Sequence, residues 1–159
     1  MIFFLSSIFQ FSSIERYKKY APMVLRIGLA LVFLWFGVNQ LLFPKTFIGY
    51  LPSWIVQDSM GIGHILYSIF SILPGGPSTS IYLNGLLEVV LGLLLIAGIL
   101  TRATALFLTI HLLIICFSLG YNDIAIRDLG LSMATLAVFL YGPDNWCLES
   151  RSNLKSTPP

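Results

Sequence analysis

The sequence predicts an all-α membrane protein, a four-helix transmembrane bundle with an interfacial N-terminal helix and an outer amphipathic segment between the first two spans. Of its 159 residues, 57% are hydrophobic and only 10% are charged, and the mean hydropathy is +0.86. Soluble domains carry about 25% charged residues. Four apolar stretches also approach the length of about 20 residues that a membrane-spanning helix needs.

The first element predicted is a short helix over residues 1–20. Ser6, Gln10 and Ser13 recur at helical spacing among phenylalanines and isoleucines, and a basic cluster follows them. This pattern is typical of a helix that lies in the membrane interface beside anionic headgroups.

The spans are placed by hydrophobic length and by proline. Pro22 suits a helix start, whereas Pro44 and Pro143 mark exits. The stretch LTRAT predicts a tight antiparallel hairpin between the second and third spans. We expect spans at residues 22–43, 82–100, 103–120 and 127–142.

Basic residues fix the orientation of these spans. One side of the membrane holds Arg16, Lys18, Lys19, Arg102, Arg151 and Lys155, and the other holds Lys45 and Arg127. Because cytoplasmic loops carry the excess of lysine and arginine, both termini are expected in the cytoplasm. The protein is therefore predicted to be multi-pass in the cell inner or plasma membrane, with residues 147–159 as a cytoplasmic tail.

The long connection 44–81 is expected on the outer side. Within it, GIGHILYSIFSIL is apolar apart from His64, Ser68 and Ser71, which recur at helical spacing. The piece is too short to span the membrane and suits an amphipathic helix on the outer leaflet.

Each span has a face of polar or small residues that lipid would not favour, so these faces are expected to turn inward. The fourth span offers two such faces, and the sequence does not choose between them. The faces are Arg26, Ala30, Phe33, Gly37 and Gln40; Asn84, Gly85, Glu88 and Gly92; Thr104, His111 and Ser118; and either Arg127, Gly130 and Ala134 or Asp128, Ser132 and Thr135.

Depth along the spans predicts a ligand-binding cluster in the outer half of the bundle. Glu88 is expected roughly 9 Å below the outer end of its helix. A carboxylate within a span is costly, and such residues suggest functional sites by default. The cluster comprises Asn39, Gln40, Glu88, Arg127 and Asp128, with His111 beneath them near mid-depth.

Structural roles compete with this interpretation. Glu88 and Arg127 could form a buried ion pair that only fixes helix register. His111 could be a hydrogen-bonded core residue. Arg26, near the cytoplasmic end, is expected to extend its side chain to the interface.

Several classes of chemistry have no motif here. The chain contains no GxGxxG, P-loop, HExxH, CxxC or GxSxG pattern, and its two cysteines cannot hold an iron–sulfur cluster. A net charge of +2 is too small and scattered to suggest nucleic acid. No catalytic residue, metal site or bound redox cofactor is predicted, so electron transfer would need a partner subunit or quinone.

Three segments resemble the DoxX-like family (DoxX/DoxD type) of small four-helix membrane proteins. They are LRIGLALVFLWFGVNQLLFP, NGLLEVVLGLLLIAGILTRATALFLTIHLL and IRDLGLSMATLAVFLYGPDNW, within roughly residues 22–146. The residues that match the family pattern are Arg26, Gly28, Gly37, Glu88, Gly92, Gly98, Arg102, Arg127, Asp128 and Gly142.

The resemblance implies a role near redox chemistry, because some relatives are membrane parts of a thiosulfate:quinone oxidoreductase and others belong to thiol-redox assemblies. It implies a membrane subunit of a quinone-linked complex, with the bilayer, a redox partner subunit and quinone as partners and a homo-oligomer as a further option. The alternatives are a small-solute binding or transport module and a structural membrane scaffold.

Overall fold

A computed structural model describes residues 15–51, 65, 68, 72, 74, 75 and 77–150. In these residues four long helices form a bundle without strands, which confirms the predicted fold class. Each helix is long and apolar enough to cross a membrane. The helices are α1 (Ala21–Leu42), α2 (Pro77–Ala97), α3 (Thr101–Leu119) and α4 (Asp123–Tyr141).

Two short 3-10 helices flank α1. One, at Lys18–Tyr20, leads into its first turn, and the other, at Pro44–Tyr50, follows it and packs against α1 and α2. Most of the predicted interfacial helix, residues 1–14, lies outside the described residues. So do His64 and Ser71 of the predicted amphipathic segment.

Two helices begin earlier than the hydrophobic pattern predicts. Helix α2 starts five residues earlier, at Pro77, where the fixed φ of proline suits a first turn. Helix α4 starts four residues earlier, because the Asn122 side chain accepts a hydrogen bond from the Ala125 amide at 2.9 Å and caps the helix. Hydrophobic length misses these first turns, because Ser78, Thr79 and Ser80 are polar in α2 and α4 opens on the charged Asp123.

The bundle is built from two closely packed pairs, α1 with α2 and α3 with α4. At the first crossing a Cβ atom on Gly37 would lie only 2.7 Å from the carbonyl oxygen of Gly85, so the backbones nearly touch. At the second, the Thr109 hydroxyl donates to the Thr135 hydroxyl at 2.9 Å. The predicted α2–α3 hairpin is joined by a short turn, yet these two helices contact each other much less.

The predicted inward faces are largely buried, and the structure selects one face of α4. Asp128, Ser132 and Thr135 are buried, whereas Arg127 and Gly130 are exposed. The alternation of buried and exposed residues leaves large apolar side chains on the outside of all four helices. The hydrophobic core between the helices is formed by Leu29, Ala30, Phe33, Leu95, Ala105, Leu108, Leu112 and Val138.

Candidate functional site

Four polar side chains from three helices meet inside the bundle, and we call them the Glu88 cluster: Gln40, Asn84, Glu88 and His111. The Gln40 amide donates to Glu88 Oε2 at 3.0 Å, and the Asn84 amide donates to Glu88 Oε1 at 3.0 Å and to Gln40 Oε1 at 2.7 Å. Both oxygens of the carboxylate are therefore held by neutral amide donors. Glu88 and Gln40 are buried.

His111 completes this cluster from α3. Its Nε2 lies 3.5 Å from Glu88 Oε1, close enough for an ion pair if the imidazole is protonated. The same atom is buried and, among the described residues, has no hydrogen-bond partner. A buried nitrogen left without a hydrogen bond is costly and calls for an explanation, such as a ligand that completes the arrangement.

The depth of the cluster differs from the prediction. Since α2 begins at Pro77, Glu88 lies about 16 Å along the helix axis, near its middle. His111 is also near the middle of α3. Glu88 and His111 therefore lie at the same depth. The prediction put Glu88 in the outer half, above His111, because it started α2 at residue 82. The helix starts more than one turn earlier, so Glu88 lies deeper.

Three of the predicted site residues lie outside the Glu88 cluster. The Asn39 amide donates to the carbonyl of Trp35 at 2.7 Å, within its own helix. Arg127 binds its neighbour Asp128, with Nη2 2.7 Å from Oδ1. The Arg127 guanidinium also stacks 4.6 Å from the centre of the Phe36 ring.

The Glu88–Arg127 ion pair, one of the two interpretations that the sequence left open, is therefore not formed in the structure. The side chain of Arg127 is 45% exposed, and its adjacent carboxylate is nearer than any on another helix. Glu88 instead has amide and imidazole partners on α1, α2 and α3.

We call the end of the bundle where α1 starts and α4 ends the base. A second buried charge, Arg26, lies there. Arg26 Nε donates to Asp144 Oδ2 at 2.8 Å, and Nη1 donates to the carbonyl oxygens of Leu95 and Ile96, the latter at 2.7 Å. These four residues are the Arg26 cluster. The guanidinium thus binds a carboxylate and two carbonyls in the last turn of α2, one of which also accepts from the Gly98 amide at 3.3 Å.

Sequence reasoning placed Arg26 at the interface and missed its partner. The residue is 2% exposed, because Asp144 and the α2 carbonyls meet its donors inside the protein. The available signal was an acidic residue directly after Gly142–Pro143, on the side of the membrane where Arg26 was expected. Asn84 was placed on an inward face but not in the site, although it is one turn from Glu88.

The segment after α4 folds back against the bundle and fixes Asp144. The backbone amide of Trp146 donates to Asp144 Oδ1 at 2.8 Å. Cys147 is fully buried and packs closely against Gly98. A Cβ atom added at Gly98 would lie 2.6 Å from Cys147. Burial raises the pKa of Asp144, but the hydrogen bonds from Arg26 and Trp146 and the charge of Arg26 outweigh it and hold that pKa below its ordinary value.

The Glu88 cluster offers a carboxylate acceptor, an imidazole and amide donors in a buried place. In the part of the chain that the structure describes, no group of three or more His, Cys, Asp or Glu side chains is placed to hold a metal ion. The Glu88 cluster therefore has the groups to bind a polar ligand by hydrogen bonds.

Comparison with known proteins gives one match. The sequence model of the DoxX family matches residues 21–120, which include α1, α2, α3 and all four residues of the Glu88 cluster. No curated protein and no solved structure matches the chain.

Proposed function

This chain belongs to the DoxX family of membrane proteins, and we propose that it serves as a membrane subunit of a quinone-linked redox complex. In this proposal the Glu88 cluster binds the quinone head group, and a partner subunit supplies the electrons. The observation that carries it is the buried His111 Nε2, which faces Glu88 at 3.5 Å without a hydrogen-bond partner.

The donors and acceptors of the cluster suit such a head group. Quinone oxygens accept hydrogen bonds, which the His111 imidazole can donate, and quinol hydroxyls donate hydrogen bonds, which the Glu88 carboxylate can accept. Quinone reduction consumes protons, and Glu88 and His111 can each hold one. Gln40 and Asn84 orient the carboxylate so that Oε1 faces the imidazole.

Access from the bilayer is consistent with the packing. Helices α2 and α3, which provide Glu88 and His111, contact each other less than the helices within each close pair. The His111 side chain is 17% exposed although its Nε2 is buried, so part of the imidazole reaches the surface of the bundle. A ligand dissolved in the bilayer can therefore approach between these two helices.

The cellular setting of this proposal is an inner or plasma membrane with both termini in the cytoplasm. It rests on the distribution of lysine and arginine. The four membrane helices imply contact with the bilayer. A homo-oligomer and a separate redox subunit are both compatible with the extensive apolar outer surface.

A second candidate, proton-coupled binding or transport of a small solute, is favoured by one observation. The donors on Glu88 are neutral amides, and the nearby imidazole can be neutral, so the carboxylate can take up a proton without breaking an ion pair to arginine. This candidate predicts pH-dependent uptake by vesicles that contain the protein alone. A purely structural scaffold predicts neither uptake nor quinone binding.

The proposal is tested with protein purified from native membranes in a mild detergent. Mass spectrometry identifies subunits and quinone that co-purify, and calorimetry measures binding of a short-chain benzoquinone and of its quinol. We expect Glu88→Gln to weaken binding of the quinol form at least tenfold in the folded protein, because the quinol hydroxyl donates to the carboxylate and the amide of the same size cannot accept at both positions.

Two further variants make the result specific. Asp123→Asn makes the same chemical change at an exposed residue and should bind like the wild type. His111→Gln should weaken binding as Glu88→Gln does. Unchanged affinity in both cluster variants would refute the proposed site, and loss of the folded protein in both would indicate a structural role instead.

A further inference from the structure

Two clefts lie next to each other at the base, on either side of the contact between the start of α1 and the segment after α4. One has a volume of about 250 Å³ and the other about 280 Å³. Neither contains a residue of the Glu88 cluster. The first lies beside α1 and α4 and touches Ala21, Leu25, Arg26, Ala137, Tyr141 and Asp144; the second touches Lys19, Tyr20, Asn145 and Trp146.

The first cleft is apolar and open to the lipid side of the bundle. Leu25, Ala137 and Tyr141 are exposed on the outer surfaces of α1 and α4. The two charged groups in it, Arg26 and Asp144, bind each other at 2.8 Å. Its volume is below the range of about 300–1,000 Å³ typical of drug-sized ligands, so it suits a single hydrocarbon chain.

The second cleft is polar and carries positive charge. The Lys19 ammonium lies 5.1 Å from the centre of the Tyr20 ring. The rings of Tyr20 and Trp146, which both line this second cleft, are 6.3 Å apart. Lysine beside tyrosine and tryptophan at the end of a membrane helix is typical of the level of lipid headgroups.

We infer that the base binds one anionic phospholipid, with a hydrocarbon chain in the apolar cleft and the phosphate beside Lys19 and Asn145. Charge complementarity supports this occupant. Lys18 pairs with Glu15, and Arg26 pairs with Asp144, so Lys19 supplies the positive charge of the second cleft. The linings of the apolar and the cationic cleft are consecutive in the chain at Tyr20–Ala21 and at Asp144–Asn145, so the clefts adjoin. An apolar and a cationic cleft side by side match the two parts of a lipid, which neither a free anion nor an apolar peptide would fill.

Native mass spectrometry tests this inference on the full chain, released from vesicles of phosphatidylcholine and phosphatidylglycerol in equal amounts. We expect one phosphatidylglycerol to be retained in preference to phosphatidylcholine. Lys19→Gln should lower its retention about fivefold, since a lysine near the membrane surface attracts anionic lipid by about that factor. Lys45→Gln removes the same charge at the opposite end of the bundle and should change nothing.

A second pair of variants tests the apolar cleft without altering charge. Ala137→Phe fills it and should lower retention of either lipid, whereas Ala103→Phe, on the exposed side of α3, should not. Equal retention of the two lipids, or equal losses in Lys19→Gln and Lys45→Gln, would overturn the inference. Displacement of the lipid by millimolar inorganic phosphate would also overturn it, because the site would then recognise the free anion.

Discussion

The Arg26 cluster and the Glu88 cluster are two solutions to one problem, a charged side chain enclosed in a membrane bundle. Arg26 has a carboxylate at 2.8 Å and two carbonyl oxygens at the end of α2. Glu88 has two amides and an imidazole whose buried Nε2 makes no hydrogen bond to any described residue. The first arrangement satisfies its charge, whereas the second leaves an atom unsatisfied.

This difference is why we assign a structural role to the Arg26 cluster and propose the Glu88 cluster as the site. The Arg26 guanidinium is already bound on several sides and gains nothing from a further ligand. Its hydrogen bonds connect α1 to α2 and to the segment after α4. A carboxylate held by neutral groups can exchange a proton or accept a hydrogen bond without losing an ionic partner. The clusters are therefore expected to respond differently to the same kind of substitution.

The largest expected effect comes from breaking the Arg26 cluster. Arg26→Met leaves Asp144 buried without a counter-charge, which should lower the free energy of unfolding by about 3–5 kcal/mol. Denaturation in detergent, followed by circular dichroism, measures it. Arg102→Met is the matched control, because Arg102 is exposed and its one hydrogen bond to a described residue is long, 3.4 Å to the carbonyl of Phe139.

A double variant distinguishes the pair from side-chain packing. Arg26→Met combined with Asp144→Leu removes both charges and should recover part of the loss. Equal losses in Arg26→Met and Arg102→Met would contradict the role assigned to the buried pair.

The same pair makes stability depend on pH. The pKa of Asp144 is held below its ordinary value, so the ionised carboxylate stabilises the folded protein. That contribution is complete above pH of about 4, the ordinary range of aspartate, and is lost as the pH falls through the lower folded-state pKa. The stability difference between wild type and Asp144→Asn should be constant from pH 8 to 5 and shrink below 4. A difference that shrinks between pH 7 and 6 would point to a histidine instead.

The Glu88 cluster can be disturbed without touching its side chains. Gly37→Ala places a Cβ 2.7 Å from the Gly85 carbonyl, so α1 and α2 must separate next to Gln40, at a cost of about 1–3 kcal/mol. Benzoquinone binding should weaken as well. Gly28→Ala on the same helix meets nothing within 4 Å and should leave both properties intact, whereas similar results for the two variants would contradict the close crossing.

Helix faces were predictable from the sequence because burial follows helical periodicity. Ala30, Phe33, Gly37 and Gln40 repeat at steps of three and four, and all are buried. The same argument brought Gln40, Glu88 and His111 to the interior, where the structure joins them. Periodicity describes one helix at a time, so it identified these residues but not their depth.

Partner choice between helices was less predictable, because it depends on where each helix begins and how it is rotated. The early start of α2 changed the depth of Glu88, and the rotation of α4 buried Asp128 and left Arg127 at the surface. Asp144 was missed for another reason. It follows a Gly–Pro break, and hydropathy treats such a segment as loop although it folds back under Arg26.

The smallest expected effect is the energetic coupling between Glu88 and Arg127. In a double-mutant cycle of Glu88→Gln and Arg127→Gln, the coupling energy should be below about 0.5 kcal/mol, because the structure gives these residues separate partners. The matched cycle of Arg127→Gln and Asp128→Asn should give about 1 kcal/mol or more, since these side chains meet at 2.7 Å. Strong coupling of Arg127 to Glu88 would restore an ion pair at the centre of the bundle. The distinction between the fully hydrogen-bonded Arg26 cluster and the incompletely hydrogen-bonded Glu88 cluster would then no longer hold.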